Sequence, residues 1–296
     1  MHIVLALDGS EPATRARDLV AGIAWPPGST IRVVAALEPS AELAGLSWPG
    51  VDTASLETLD QAARADIEPM LRAAAAQIAA PGRRVDWELV RGRPADVLLD
   101  EARRTQADLV VLGSRGHGRL ESLMLGSVPA EVVDHAPCPV LVVRGPTLTR
   151  AVFAQDGSDN ATAAADIVAA WPIFHGVPVE VLSVVSLPGP LASGVAPTMV
   201  ETAIETYAET LATLESESQH MVDETAERFR TAGIPATAKV REGETAAEIL
   251  DEAKETGADL IILGSRGVGG LSRLLLGSVA RRVLVHAPCS VLVVHR

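Results

Sequence analysis

Short runs of Val, Leu, Ile and Ala recur along this chain, separated by stretches whose apolar residues return at helical spacing. HIVLALD (2–8) is an apolar run ending at an aspartate and predicts a buried strand. GSEP follows, with Ser10 placed as an N-cap and Pro12 near the first helical position, so a helix is expected up to WPPG (25–28). TIRVVAALE (30–38) predicts a second strand, and an Ala-rich helix is expected from 55 to 80 after a loop containing Gly45, Trp48, Pro49 and Gly50. RVDWELV (84–90) alternates as a third strand, GRPADVLLDEARRTQ (92–106) predicts a helix and ADLVVLG (107–113) a fourth strand. A helix near VPAEVVDHA (128–136) and a last strand, CPVLVVR (138–144), close the series. Continuous Val/Leu/Ile strands between helices point to a parallel sheet covered on both faces.

The series then starts again. ADLVVLGSRGHG (107–118) returns as ADLIILGSRGVG (258–269), HAPCPVLVV (135–143) as HAPCSVLVV (286–294), and VLALDGS (4–10) as VFAQDGS (152–158). Each half is too long for a solenoid repeat and suits a whole domain. The expected domains are therefore 1–146 and 147–296, joined through RGPTLTR (144–150). In the second, strands are expected near 151–155, 179–186, 236–241, 258–263 and 290–294, with a long helix over 198–232. Right-handed crossovers make this an α/β chain of two tandem doubly wound domains, each with a five-stranded parallel sheet.

Composition narrows the function. With 48% apolar and 21% charged residues, a core of normal size can be buried. The net charge of −13 argues against nucleic acid, which needs a concentrated Lys/Arg surface. A bound polyanion would have to be held by backbone N–H groups, local Arg or a metal ion. The two cysteines, Cys138 and Cys289, are too few for a disulfide framework. No secretory leader or membrane-length apolar run is recognised, so a cytoplasmic location without membrane contact is expected.

The candidate chemistry lies in a pattern that both halves carry: Gly-x2-Gly, nine residues, Gly-Ser. The first copy is Gly113, Gly116, Gly126 and Ser127, and the second Gly264, Gly267, Gly277 and Ser278. The first glycine of each copy directly follows a buried strand, at the end where open α/β sheets bind ligands. The Gly-Ser pair precedes a helix, whose free N–H groups and partial positive charge favour phosphate. Glycine allows positive φ and lets the backbone approach an anion without an intervening Cβ. The nine residues between, HGRLESLML in the first copy, are expected to form a short helical lid.

At these residues the chain resembles the universal stress proteins, in the branch whose glycine pattern binds ATP. The strand-terminal Asp and the closing HAPCPVLVV extend the resemblance over nearly the whole chain. It implies an adenine nucleotide α-hydrolase-like, Rossmann-like fold and a nucleotide-dependent module of the stress response with one site per domain for ATP with Mg2+. Asp8 and Asp156 would meet ribose hydroxyls or the metal ion, and Ala36 and Val184 the adenine edge. Leu112 with Gly113, and Leu263 with Gly264, would line the adenosine. Gly116, Gly126, Ser127 and Val128, with Gly267, Gly277, Ser278 and Val279, would hold the phosphates. The resemblance also implies that the halves pair through their last strands, and a homodimer is expected; the downstream protein partner is not encoded in any motif.

Other residues stay open. Arg115 and Arg266 lie inside the glycine stretch and either reach phosphate or are solvated or paired with acidic neighbours. His135-x2-Cys138 and His286-x2-Cys289 together would supply two N and two S ligands for zinc. Against that, His near a helix C-terminus suits the dipole and Cys opening a buried strand acts as a small hydrophobe. Trp48 and the loops at 39–50 and 187–197 would cap the adenosine mouth or make subunit contacts. Catalysis is disfavoured: the sequence shows no Walker Gly-Lys-Ser/Thr element, no Ser-Gly-Gly-x-Asp-Ser loop and no motif that places a base to activate water. The alternative to a binding module is a slow ATPase or an adenylate-transferring enzyme of related fold.

Overall fold

The protein is represented by a computed structural model describing residues 1–38, 53–116, 125–186, 200–267 and 276–295. Its contacts divide into two units, Met1–Leu148 with Cys289–His295, and Thr149–Pro288. No helix among the described residues is long and apolar enough to cross a membrane.

The first unit runs β1 (His2–Ala6), α1 (Glu11–Gly22), β2 (Thr30–Leu37), α2 (Thr53–Ile78), β3 (Arg84–Arg91), α3 (Pro94–Thr105), β4 (Leu109–Gly113), α4 (Ser127–His135) and β5 (Val140–Val143). Its strands lie in the order β3-β2-β1-β4-β5, all parallel. The last strand of the chain, β10 (Ser290–Val294), is part of this unit and runs antiparallel to β5, Leu292 opposite Leu141. Central strands are buried on both faces, which is why β4 (LVVLG) and β5 (VLVV) show no polar alternation. At the edge, β3 alternates, with Glu88 and Arg91 among its polar positions.

The second unit contains β6 (Ala151–Ala154), α5 (Asp159–Ala170), β7 (Val179–Val185), α6 (Val200–Thr231), β8 (Ala236–Glu242), α7 (Thr245–Glu255), β9 (Leu260–Gly264) and α8 (Ser278–His286). The order β9-β6-β7-β8 repeats that of the first unit. Phe229 of α6 meets Phe153 of β6 edge to face, ring centroids 5.2 Å apart, and anchors the long helix on the sheet.

Beneath each sheet lies a charged cluster, and the two differ in sense. In the first unit Arg32 of β2 pairs with Glu88 of β3 and, at 2.7 Å, with buried Glu101 of α3, which also takes Arg104 at 2.7 Å. In the second the position matching Arg32 is Glu180, opposite Val152 as Arg32 is opposite Val4. Here the cations come from β8: Lys239 and Arg241 each reach Glu252 of α7 at 2.6 Å, and Glu252 is 0% exposed.

Candidate functional site at the ends of the first and fourth strands

In the first unit the chain winds outward in one direction from β1 to β2 and β3, then in the other from β4 to β5, so β1 and β4 are neighbours at the point of reversal. Carboxyl ends of strands at such a point leave a crevice between the diverging loops. The loop after β1 is DGS. Asp8 Oδ1 accepts the N–H of Ser10 at 2.9 Å, a local turn that Gly9 completes at φ 85°. Ser10 caps α1 by accepting the N–H of Ala13 at 3.3 Å, and its hydroxyl donates to the carbonyl of Arg115 at 3.4 Å. Three residues thus tie the end of β1, the start of α1 and the loop after β4.

Of the two uses of glycine considered, close approach applies at Gly113 and Gly116, and none of Gly113, Gly116 or Gly126 has a positive φ. A Cβ on Gly113 would stand 2.6 Å from the carbonyl carbon of Pro12 and 2.7 Å from the N of Ala13, so this glycine admits α1 against β4. A Cβ on Gly116 would stand 2.6 Å from Asp8 Oδ2, so here the backbone makes room for the carboxylate. Gly126 returns the chain to this loop, donating its N–H to the carbonyl of Ser114 at 3.0 Å. It is the N-cap of α4 and offers no side-chain cap. The first intrahelical donor is Ala130, to Gly126 at 3.2 Å, which leaves the amides of Ser127 and Val128 without an intrahelical acceptor. Pro129 has no amide to add.

The second unit repeats the arrangement and reinforces it. Asp156 Oδ1 accepts from Ser158 N at 3.0 Å, and Ser158 caps α5 through Ala161 N at 3.2 Å. The carbonyl of Arg266 takes two donors, Ser158 Oγ at 3.2 Å and Asn160 Nδ2 at 3.3 Å. A Cβ on Gly264 would stand 2.8 Å from the carbonyl carbon of Asn160, and one on Gly267 would meet the carboxylate of Asp156. Gly277 N donates to Ser265 O at 2.8 Å, and Arg281 is the first donor within α8, leaving the amides of Ser278, Val279 and Ala280. Gln155, where the first unit has Leu7, is buried: its Nε2 donates to Thr225 Oγ1 at 3.0 Å and its Oε1 accepts from Gly157 N at 3.3 Å.

Of the other expected site residues, Ala36 lies late in β2 opposite Val90, and Val184 late in β7 opposite Arg241. Leu112 and Leu263 are 2% and 4% exposed, so their side chains belong to the core and only their main chain can face a ligand. Arg115 and Arg266 are half-buried within the loops that carry the glycines. The lid segments, apart from residues 125 and 276, and the capping loops with Trp48 lie outside the described residues. Among the described residues no group of three or more His, Cys, Asp or Glu side chains is placed to hold a metal ion. His135, Cys138, His286 and Cys289 are all among those residues, so the zinc alternative finds no such cluster. Sequence reasoning missed the clamp of Ser10, Ser158 and Asn160 on the Arg carbonyls. The repeated Ser of DGS was available as a signal, but only its capping role was local enough to infer.

The family model for the universal stress protein family matches residues 1–144 and 147–295. A universal stress protein of Mycolicibacterium smegmatis is 30% identical over 84% of this chain and 83% of its own length. Universal stress protein Rv2005c of Mycobacterium tuberculosis is 32% identical over 71% and 68%, and one from Thermus aquaticus 40% identical over 48% and 97%. Among solved structures, a universal stress protein from Archaeoglobus fulgidus superposes over 100% of this chain and 96% of its own at TM-score 0.66, with 19% identity, a likeness of fold. Another universal stress protein, matched over 50% of this chain and 98% of its own at TM-score 0.36 and 27% identity, was solved in complex with cAMP.

Proposed function

Because the chain belongs to the universal stress protein family, we propose that it binds adenine nucleotide, ATP with Mg2+, at one site in each domain and acts as a nucleotide-dependent signalling module of the stress response. The observation carrying this reading is a juxtaposition made twice. The Asp after the first strand abuts the second glycine of the loop after the fourth, and that loop is bonded to the N-cap glycine of a helix with no side-chain cap. Backbone amides at such a terminus suit phosphate oxygens. A carboxylate beside them repels phosphate unless ribose hydroxyls or a cation stand between. One carboxylate with phosphate oxygens and water is a donor set that suits Mg2+, which seldom uses an all-protein cage. Asp8 and Asp156 would hold that position, with Ser127, Val128, Ser278 and Val279 on the phosphates. Bound nucleotide would order the loops around it, and a partner would recognise the changed surface.

Mass spectrometry of the denatured protein and calorimetric titration with ATP, with and without Mg2+, test this. Bound or titratable ATP is expected. The double change Gly126→Asp with Gly277→Asp should abolish it. A Cβ at these glycines meets Arg115 and Arg266 Cα only at 3.3 and 3.4 Å, so the added carboxylate acts mainly by its charge. No binding above background overturns the proposal, and multiple turnover at ordinary enzymatic rates would replace it with the ATPase reading.

A further inference from the structure

Resting on that reading, we infer that the two sites are unequal by construction: the second domain's site is held ready and fills first, and Gln155, Asn160 and Pro129 set the difference.

The helix that would meet the phosphates leaves three amides without an intrahelical acceptor in the second domain, at Ser278, Val279 and Ala280. In the first domain it leaves two, because Pro129 stands where Ala280 does and has no amide. A hydrogen bond to a charged group is among the stronger polar contacts, and losing one weakens affinity about tenfold or more. The loops differ as well. The carbonyl of Arg266 takes Ser158 and Asn160, whereas Pro12, which stands in the place of Asn160, has no side-chain donor to offer the carbonyl of Arg115, which takes Ser10 at 3.4 Å.

A further tie has no counterpart at Leu7: Gln155 fixes the amide of Gly157 and is itself held by Thr225 of α6. These bonds link the DGS turn, the loop after β9 and the long helix before any ligand arrives. Ligand then orders less backbone, and the saved entropy appears as affinity.

Two measurements test the inference. In the ligand-free protein, hydrogen exchange at Arg266 and Gly267 should be slower than at Arg115 and Gly116, and Gln155→Leu should narrow the gap; equal exchange refutes the pre-organisation. Calorimetry with ATP should show two steps at least about tenfold apart in Kd, that is about 1.4 kcal/mol. Gly277→Asp should delete the tight step and Gly126→Asp the weak one. Pro129→Ala should tighten the weak step, a gain that damaged folding does not produce. Asn160→Pro should loosen the tight step and is compatible with the helix, since Pro12 occupies the same position. Equal steps, a reversed order, or an unchanged weak step in Pro129→Ala would overturn the inference. Absence of ATP binding at both sites overturns the nucleotide reading itself, while the exchange comparison still judges the pre-organisation.

Discussion

Replacing Gly113 with Ala tests whether this glycine serves packing before it serves any ligand. The new Cβ would lie 2.6 Å from the carbonyl carbon of Pro12 and 2.7 Å from Ala13 N. Non-bonded carbon atoms sit best at about 3.5–4.0 Å, so roughly 1 Å must be found between two backbones. Neither yields easily. All five residues of β4 are buried, and α1 is held on the sheet by Ala13, Ala16, Leu19 and Val20. Overpacking of this kind costs about 1–3 kcal/mol, and the upper part of that range applies because no flexible side chain can move aside. Lower entropy of the unfolded chain returns about 0.4–1 kcal/mol, since the residue has no positive φ. A net loss of about 1–2.5 kcal/mol is expected. Urea unfolding followed by tryptophan fluorescence measures it, three of the four tryptophans (25, 48 and 87) lying in the first half. The midpoint should fall at unchanged slope. Gly126→Ala, with its Cβ 3.3 Å from Arg115 Cα, is the milder control. If Gly113→Ala unfolds within about 0.5 kcal/mol of the parent, or the control costs as much, the close-approach argument is wrong.

Glu252→Ala should destabilise the second unit by about 3 kcal/mol or more, because Lys239 and Arg241 would lose the fully buried carboxylate between them; local hydrogen exchange in β8 reads the loss. Burial first, and then the neighbouring Glu252, raise the Glu180 carboxyl to about 7, with Lys239 and Arg150 acting weakly the other way. Its folded form therefore holds a proton that the unfolded chain releases in the ordinary carboxylate range. That contribution is full below this range and is lost as pH rises through neutrality. Glu180→Gln should flatten the corresponding fall in urea midpoint between pH 5 and 8, and an unchanged profile refutes the assignment. Cys138, its thiol pushed up to about 12 by burial, should resist iodoacetamide at pH 8 in the folded protein and react once urea unfolds it.

The sequence pattern carried the succession of strands and helices, the cap at Ser10 and the duplication, because buried parallel strands and N-caps are local signals. α2 and α6 occupy Thr53–Ile78 and Val200–Thr231 against expectations of 55–80 and 198–232. The reason for the glycines was not local. That Gly113 faces Pro12 and Gly116 faces Asp8 depends on β1 lying beside β4, a pairing across more than 100 residues, so the spacing suggested room for an anion where the fold needed room for its own chain. The place of β10 in the first unit, and the Gln155–Thr225 bond, are likewise products of tertiary pairing.

The opposite senses of the two buried charge clusters bear on how a duplicated chain avoids misassembly. Tandem copies of one fold risk exchanging equivalent strands while they form. An exchange that set β8 beside β2 would bring Lys239 against Arg32, and the reciprocal one would bring Glu88 of β3 against Glu180. Each wrong partner would meet its own sign, while each right partner meets the other. Divergence at these few sites gives the two copies separate identities during folding, although their sheets follow one plan.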